Sequence, residues 1–354
     1  MDAPVPSATD EELPIAALLN YLSPHILGLK SITRVYRFAG GYSNLTYGLD
    51  TNLGAFVLRR PPPGANIRSA HDMGREFRVL SLLAPHYSKS PRPILLCEDS
   101  ALIGAPFFLM EKVEGQILRH ASPGTELPGP ETMAALSDAF VQNLAELHAL
   151  PLDHSALAEL GKPEGYVQRQ VSGWLERYRQ AETSEVPAIN VLMDFLPSAL
   201  PATQAISLVH NDYKYDNLVL DPADLTHIKA LLDWEMCTIG DSLMDVGTSL
   251  AYWFEAPELN GLVKGFANLT WLPGNKTRKE IWDAYCRLRR LDPKDALFYY
   301  VFGCFKVAVI IQQIFARFTR GGNPDPRFAH LDQLVAIFGT RGAKALQSGR
   351  ISCT

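Results

Sequence analysis

His210, Asp212 and Asn217 stand at the spacing H-x-D-x-x-x-x-N, and Asp233 follows Asn217 by sixteen residues, directly after Leu231-Leu232. Residues of these types in this order suit phosphoryl transfer from ATP. A carboxylate must accept or orient the proton of the acceptor's hydroxyl, while an amide oxygen and a second carboxylate hold Mg²⁺ against the phosphates. On that reading Asp212 is the base or hydroxyl-orienting group, and Asn217 and Asp233 are Mg²⁺ ligands. Lys214, two residues past Asp212, offers a cation to the γ-phosphate, and His210 braces the loop. Glu235 shares a face with Asp233 on an extended segment and is a candidate for a second metal. Any one of these residues could sit in an ordinary polar turn; the ordered motif with the adjoining LLDWE segment is what argues for chemistry.

Upstream residues fit the same chemistry. Gly40, Gly41, Tyr42, Ser43 and Asn44 lie between two strand-like segments, where glycines let backbone N–H groups approach phosphate closely. Gly-Gly alone is equally a plain hairpin turn. Arg59 ends the next strand-like run and Glu76 lies in the following helical one. A strand cation paired to a helix glutamate is how kinases hold the α- and β-phosphates. Taken singly, each is an ordinary surface charge.

The elements that must position these residues are readable from periodicity. Segments 31–39, 44–50 and 54–60 are short, β-branched and aromatic, with turns at Gly40-Gly41 and Asn52-Leu53-Gly54, which predicts a three-stranded antiparallel meander. Thr9 with Glu12 makes a capping box before a helix through Tyr21, and Met73, Phe77, Leu80 and Leu83 mark one face of a helix over 70–83. Strands are expected at 93–98 and 106–112. Beyond Gly115 helices are expected near 131–149, 164–180, 188–199, 241–254, 278–290, 295–319 and 327–346. A β island interrupts them, with strands at 206–209, 217–220 and 228–232. These parts add up to an α+β chain of two unequal lobes, 1–112 carrying the nucleotide site and 113–354 the catalytic and metal loops and the acceptor-binding helices.

The stretches GGYSNLTYGL, FVLRRPP, REFRVL, FFLMEKVEG, LVHNDYKYDNLVL, LLDWEMCTIGDSLMDVG and KVAVIIQQIFARF resemble the aminoglycoside phosphotransferase family, within the protein-kinase-like fold. They are most similar to the branch found as a kinase-like domain in animal acyl-CoA dehydrogenase fusions. The resemblance implies a bilobal protein-kinase-like fold with a small β-rich N-lobe and a larger, mainly helical C-lobe. It implies an ATP- and Mg²⁺-dependent kinase acting on a small-molecule hydroxyl. FFLMEKVEG would be the interlobe hinge, with the Glu111 and Val113 backbones binding adenine and Met110 lining the pocket. Asp245 would brace the catalytic loop. Two positions depart from the family pattern: Arg59 stands where lysine is usual, with a longer planar fork, and Asn211 replaces the commoner glycine before Asp212.

Composition bounds the alternatives. The 354 residues carry a formal net charge of −5, which argues against a nucleic-acid or membrane-surface binder. Apolar residues make up 47%, enough for a core without disulfides or a structural metal. Cys97, Cys237, Cys286, Cys304 and Cys353 are scattered, as expected of reduced thiols in a cytoplasmic protein, and the acidic N-terminus shows no signal-peptide pattern. Lys306, Gln312, Gln313 and Arg317 break the apolar run 301–318, which therefore reads as a buried helix. Residues 241–354 net +5 and carry Tyr252, Trp253, Phe254, Phe266, Trp271, Tyr299 and Tyr300. Most of these rings are expected to pack the core; those that line an acceptor wall suit an apolar or anionic acceptor, which with the acyl-CoA dehydrogenase resemblance suggests a hydroxyacyl-CoA or hydroxy acid. The acidic segment 114–209, net −7, pulls the other way. A second reading is a nucleotide-binding pseudokinase or regulatory module. Arg59 alone favours it, and the Asp212, Asn217 and Asp233 trio speaks against it.

Overall fold

Alternation of large apolar and polar residues from Ile32 onward builds strands β1 (Ile32–Arg37), β2 (Leu45–Thr51) and β3 (Gly54–Arg60). In the computed structural model the residues described are 13–38, 44–62, 72–120, 126–152, 155–259, 266–321 and 325–353. The β2–β3 hairpin turns through Asn52 and Leu53 into Gly54, whose φ of 107° only glycine adopts freely. Strands β4 (Pro93–Cys97) and β5 (Phe107–Glu111) complete an antiparallel sheet of order β1-β2-β3-β5-β4. Helix α1 (Ile15–Leu22) buries Leu18 and Leu22 in the same core as Val35, Leu49, Leu58 and Leu109.

Helix α2 (Met73–Leu83) starts where the Asp72 carboxylate accepts the Arg75 N–H at 2.9 Å, a side-chain cap. It buries Met73, Leu80 and Leu83 as the spacing predicts, together with Val79 and Glu76, while Phe77 is half-buried and meets Phe108 edge-on. The expected helix N-terminal cap at Thr9 and Glu12 lies outside the described residues, as does the Gly40-Gly41 turn.

The chain forms two compact units, one from residues 1–117 with 218–236, the other from 118–217 with 237–354. The single cut expected after residue 112 lies near the first crossing. The return of 218–236 to the first unit comes from pairing that local sequence does not show. Strands β7 (Leu218–Asp221) and β8 (Asp224–Leu231) form a hairpin there. Its Leu220 exchanges both backbone hydrogen bonds with Gln116 at 2.8 Å, and the Leu231 N–H donates to the Lys89 carbonyl at 2.7 Å. The β island is thus two separate ladders, because β6 (Ile206–Val209) pairs instead with β9 (Thr238–Asp241), four residues that periodicity assigns to a loop and a helix start.

The second unit is helical: α3 (Pro130–His148), α4 (Tyr166–Ala181), α5 (Pro187–Ser198), α6 (Ser242–Ala251), α7 (Arg278–Arg289), α8 (Ala296–Thr319) and α9 (Leu331–Ser348). Helix α8 is long and apolar enough to cross a bilayer by length and composition, but 78% of its most apolar window is buried inside the protein, as expected of a core helix. Its crossing with α6 is nearly backbone on backbone. A Cβ at Gly247 would lie 2.1 Å from the Tyr299 carbonyl oxygen, and one at Gly303 would lie 2.1 Å from that of Gly247. No other residue fits at either place.

Candidate active site

The candidate residues fall into two groups, one in each unit. In the first, Arg59 at the end of β3 is buried and its guanidinium joins three carboxylates. Nη1 meets Oε1 of Glu76 on α2 at 2.5 Å, Nη1 and Nη2 both lie 3.1 Å from Oδ1 of Asp233, and Nη2 lies 3.5 Å from Oε2 of Glu235. The fork does what a lysine's point charge could not, which is to hold several oxygens at fixed angles. Burial works against the Arg59 charge, but Glu76, Asp233 and Glu235 outweigh it and hold the group above its ordinary value. Burial likewise pushes Glu76 up to about 7, against the pull of Arg59. Among the described residues, Oε2 of Glu76 and Nε of Arg59 are buried with no hydrogen-bond partner.

Asp233 adopts φ 68°, the left-handed region that aspartate tolerates better than most residues. Its side chain is 34% exposed, so a carboxylate anchored through Oδ1 still reaches solvent. Glu235, a candidate for a second metal, is engaged elsewhere. Oε2 accepts from the Asn44 amide at 2.9 Å, and its carbonyl accepts from Arg75. That ties Asn44, at the start of β2, to the segment after Asp233; Gly40, Gly41, Tyr42 and Ser43 lie outside the described residues. Met110 is buried in β5 opposite Val57 and Pro93. The Glu111 N–H donates to the Arg92 carbonyl at 2.9 Å. Val113 is half-buried just beyond the strand.

The second group is the loop after β6. Nζ of Lys214 lies 2.9 and 2.8 Å from the two carboxylate oxygens of Asp212 and 4.5 Å from the centre of the Tyr252 ring. Burial works against the Lys214 charge, but Asp212 chiefly outweighs it and raises the group above its ordinary value. The Asn217 amide donates to Oδ2 and to the carbonyl of Asp212 at 2.9 and 2.8 Å. That orientation turns the amide oxygen to the other side. An amide oxygen and a partly exposed carboxylate are each a hard donor of the kind Mg²⁺ takes, so Asn217 in its unit and Asp233 in the other each have donor chemistry that fits the ion.

Asp245, near the start of α6, holds the loop from below. Its Oδ2 accepts the His210 N–H at 2.7 Å and its Oδ1 the Asn211 N–H at 2.8 Å. His148, at the end of α3, adds Nε2 at 3.1 Å from Oδ2, with its Nδ1 2.6 Å from the Tyr285 hydroxyl. Burial alone would raise Asp245, but hydrogen bonding and charge from His148 hold it below the ordinary carboxylate value. His210 braces the loop through Nδ1, which accepts the Asp212 N–H at 3.2 Å. Asn211 stands at φ 68°, the left-handed region that glycine and asparagine adopt more readily than most residues.

Most of the aromatic residues named in 241–354 pack the core, as expected of large rings. Trp253, Phe254, Tyr299 and Tyr300 are at most 2% exposed and pack the core, whereas Phe266, Trp271 and Tyr252 reach the surface or the loop. Within 241–354, Arg278 and Arg341 both pair with Glu258, a carboxylate already counted in the net +5. His148 escapes sequence reasoning because it carries no local signal. The part Lys306 plays at the loop escapes it too, although the residue is visible as a cation flanked on both sides by apolar residues in the middle of a long helix.

The chain matches the family model described as the phosphotransferase enzyme family over residues 34–274. It is 38% identical over 316 residues to acyl-CoA dehydrogenase family member 10 of Mus musculus, covering 87% of this chain and 29% of that protein. The chain thus spans under a third of that relative's length. Among solved structures, a candidate aminoglycoside phosphotransferase from Ralstonia eutropha JMP134 is 30% identical, with a TM-score of 0.75 over 93% of this chain and 98% of that one. A thermostable mutant of aminoglycoside phosphotransferase APH(4)-Ia, in ternary complex with ADP and hygromycin B, is 14% identical with a TM-score of 0.59 over 96% and 99% of the two chains, and shares the fold.

Proposed function

The chain belongs to the phosphotransferase enzyme family, matched over residues 34–274, and on that premise we propose that it moves the γ-phosphate of ATP to a hydroxyl group of a small molecule. The observation that carries the reading is the Asp212 carboxylate, faced by Lys214 at 2.8–2.9 Å and by the Asn217 amide at 2.9 Å on a loop pinned by Asp245. As the acceptor oxygen bonds to the γ-phosphorus and the bond to the β,γ-bridging oxygen breaks, Asp212 takes the hydroxyl proton and ADP leaves. Lys214 swings its cation from Asp212 toward the transferring oxygens. Arg59, fixed by Glu76, meets the phosphates, and Asn217 and Asp233 would hold Mg²⁺. The ion, when bound, neutralises charge on the transferring group.

For the acceptor we take a hydroxyacyl-CoA or hydroxy acid. Support comes from the likeness to a protein named as an acyl-CoA dehydrogenase and from the net positive charge of 241–354. Five free cysteines, four of them buried, fit a cytoplasmic setting. The test is transfer of label from γ-labelled ATP in parallel to hydroxyacyl-CoA and kanamycin. Labelled phosphoester on hydroxyacyl-CoA is expected; efficient turnover of kanamycin with none of hydroxyacyl-CoA overturns the acceptor assignment.

A further inference from the structure

Lys306 lies mid-way along α8, 1% exposed, in a run of apolar neighbours. A buried ammonium is costly unless its protons find acceptors. Among the described residues no carboxylate lies within ion-pair distance of it. Its partners are instead both acceptors of Asn211: the backbone carbonyl at 2.8 Å and the side-chain oxygen at 3.0 Å. The Trp174 ring centre on α4 lies 5.8 Å from Nζ. The glycine crossing of α6 and α8 makes this reach possible, because Gly303 is one helical turn before Lys306 and lets α8 sit against the helix that carries Asp245. Burial foremost lowers Lys306 to about 8. Asp245 and Asp212 pull toward the charged form, and Arg177 and Lys214 push against it, so the ammonium is the main species at neutral pH.

The peptide unit between Asn211 and Asp212 is therefore held at both ends. Lys306 takes its carbonyl oxygen, and Nδ1 of His210 takes its N–H at 3.2 Å. That unit sets the direction of the Asp212 side chain, and it comes after a residue in the left-handed region, where a peptide flip is an accessible alternative. We propose that Lys306 is a positioning residue for phosphoryl transfer, its ammonium locking the Asn211–Asp212 peptide so that the Asp212 carboxylate points at the acceptor hydroxyl. This rests on Asp212 being the group that receives the acceptor's proton. It also gives Asn211 a purpose beyond its backbone angle, since glycine there would offer Lys306 one acceptor rather than two.

The test uses the full chain with water as the acceptor. Single-turnover release of phosphate from MgATP, the MgATP dissociation constant, and hydrogen exchange of the peptide spanning 208–215 are measured for wild type, Lys306→Met, Asn211→Gly and Asp212→Asn. Lys306→Met is expected to slow release by about tenfold or more, since small misplacements of a reacting group have effects of that size. Its MgATP dissociation constant should stay within about twofold of wild type while exchange in 208–215 quickens. Asn211→Gly, which keeps the carbonyl, should lose less than Lys306→Met. Unchanged release and exchange in Lys306→Met overturn the proposal, as does an equal loss in Asn211→Gly. If Lys306→Met does not fold, Lys306→Gln, shorter and uncharged, is read by the same criteria. If wild type releases no more phosphate than Asp212→Asn, the assignment of Asp212 fails, and the positioning role falls with it even where exchange shows the peptide to be pinned.

Discussion

Both terminal nitrogens of Arg59 lie 3.1 Å from Oδ1 of Asp233, and one of them also meets Glu76 at 2.5 Å. One guanidinium thus ties the end of β3 to α2 and to the segment after β8 that carries Asp233, all within the first unit. This is the physical consequence of arginine at a place where lysine is usual in the family. The pair with Glu76 is buried on both sides, so removing either partner strands the other charge away from water.

Arg59→Ala leaves the Glu76 carboxylate buried and unpaired. The expected loss is about 3–5 kcal/mol of unfolding free energy, read as a shifted urea midpoint. Arg59→Lys should lose less, because the charge stays near Glu76 while the second arm to Asp233 is gone. A loss under about 1 kcal/mol in the alanine variant would mean that Glu76 relaxes to solvent.

Asp212→Asn keeps the size of the side chain but removes the proposed base. Turnover should fall by about 10²-fold or more, with the MgATP-induced rise in melting temperature retained. Full turnover in this variant, measured with the preferred acceptor, would take the proton-accepting role away from Asp212.

Away from the active loop, Glu258 accepts from Arg278 at 2.5 Å and from Arg341 at 2.9 Å. Burial would raise this carboxylate, but the two guanidinium groups outweigh it and bring it down to about 2 from an ordinary 4.5. A folded value below the unfolded one means that the stabilisation is present above pH 4.5 and fades as pH falls toward 2. Its size is on the order of 3 kcal/mol. Glu258→Gln should flatten the acid limb of stability against pH; an acid limb identical to wild type would place the loss elsewhere.

Much of this architecture is legible from residue order. The meander, α2 and the long helices come from periodicity and turn chemistry, and β2, β3, α3 and α7 fall within a residue or two of expectation. The H-x-D-x-x-x-x-N loop carries its own signal because its residues are close in sequence. What escapes is whatever depends on distant partners. The β7–β8 hairpin joins the first unit through Gln116 and Lys89, over a hundred residues away, and no local pattern encodes that pairing. Strand β9 is four residues beside a helix start, too short to show alternation. Glu235 resembles a metal ligand because its neighbour Asp233 does; only the fold shows Asn44 and Arg59 at its carboxylate. The aromatics of 241–354 fall mostly in the core as expected, but which of them stay outside it is not legible, since large rings announce burial as readily as binding.

If Asp233 and Asn217 hold a metal–nucleotide complex for Asp212 to act on, then nucleotide binding must depend on both the ion and the Asp233 carboxylate. The decisive measurement is the melting temperature with ATP, with and without Mg²⁺, of wild type and Asp233→Asn. At a hundred times its dissociation constant a ligand adds about 2.7 kcal/mol of stability. A Mg²⁺-dependent rise in wild type that disappears in Asp233→Asn is the predicted result. No rise with ATP in wild type, or the same rise in both proteins, would contradict this assignment.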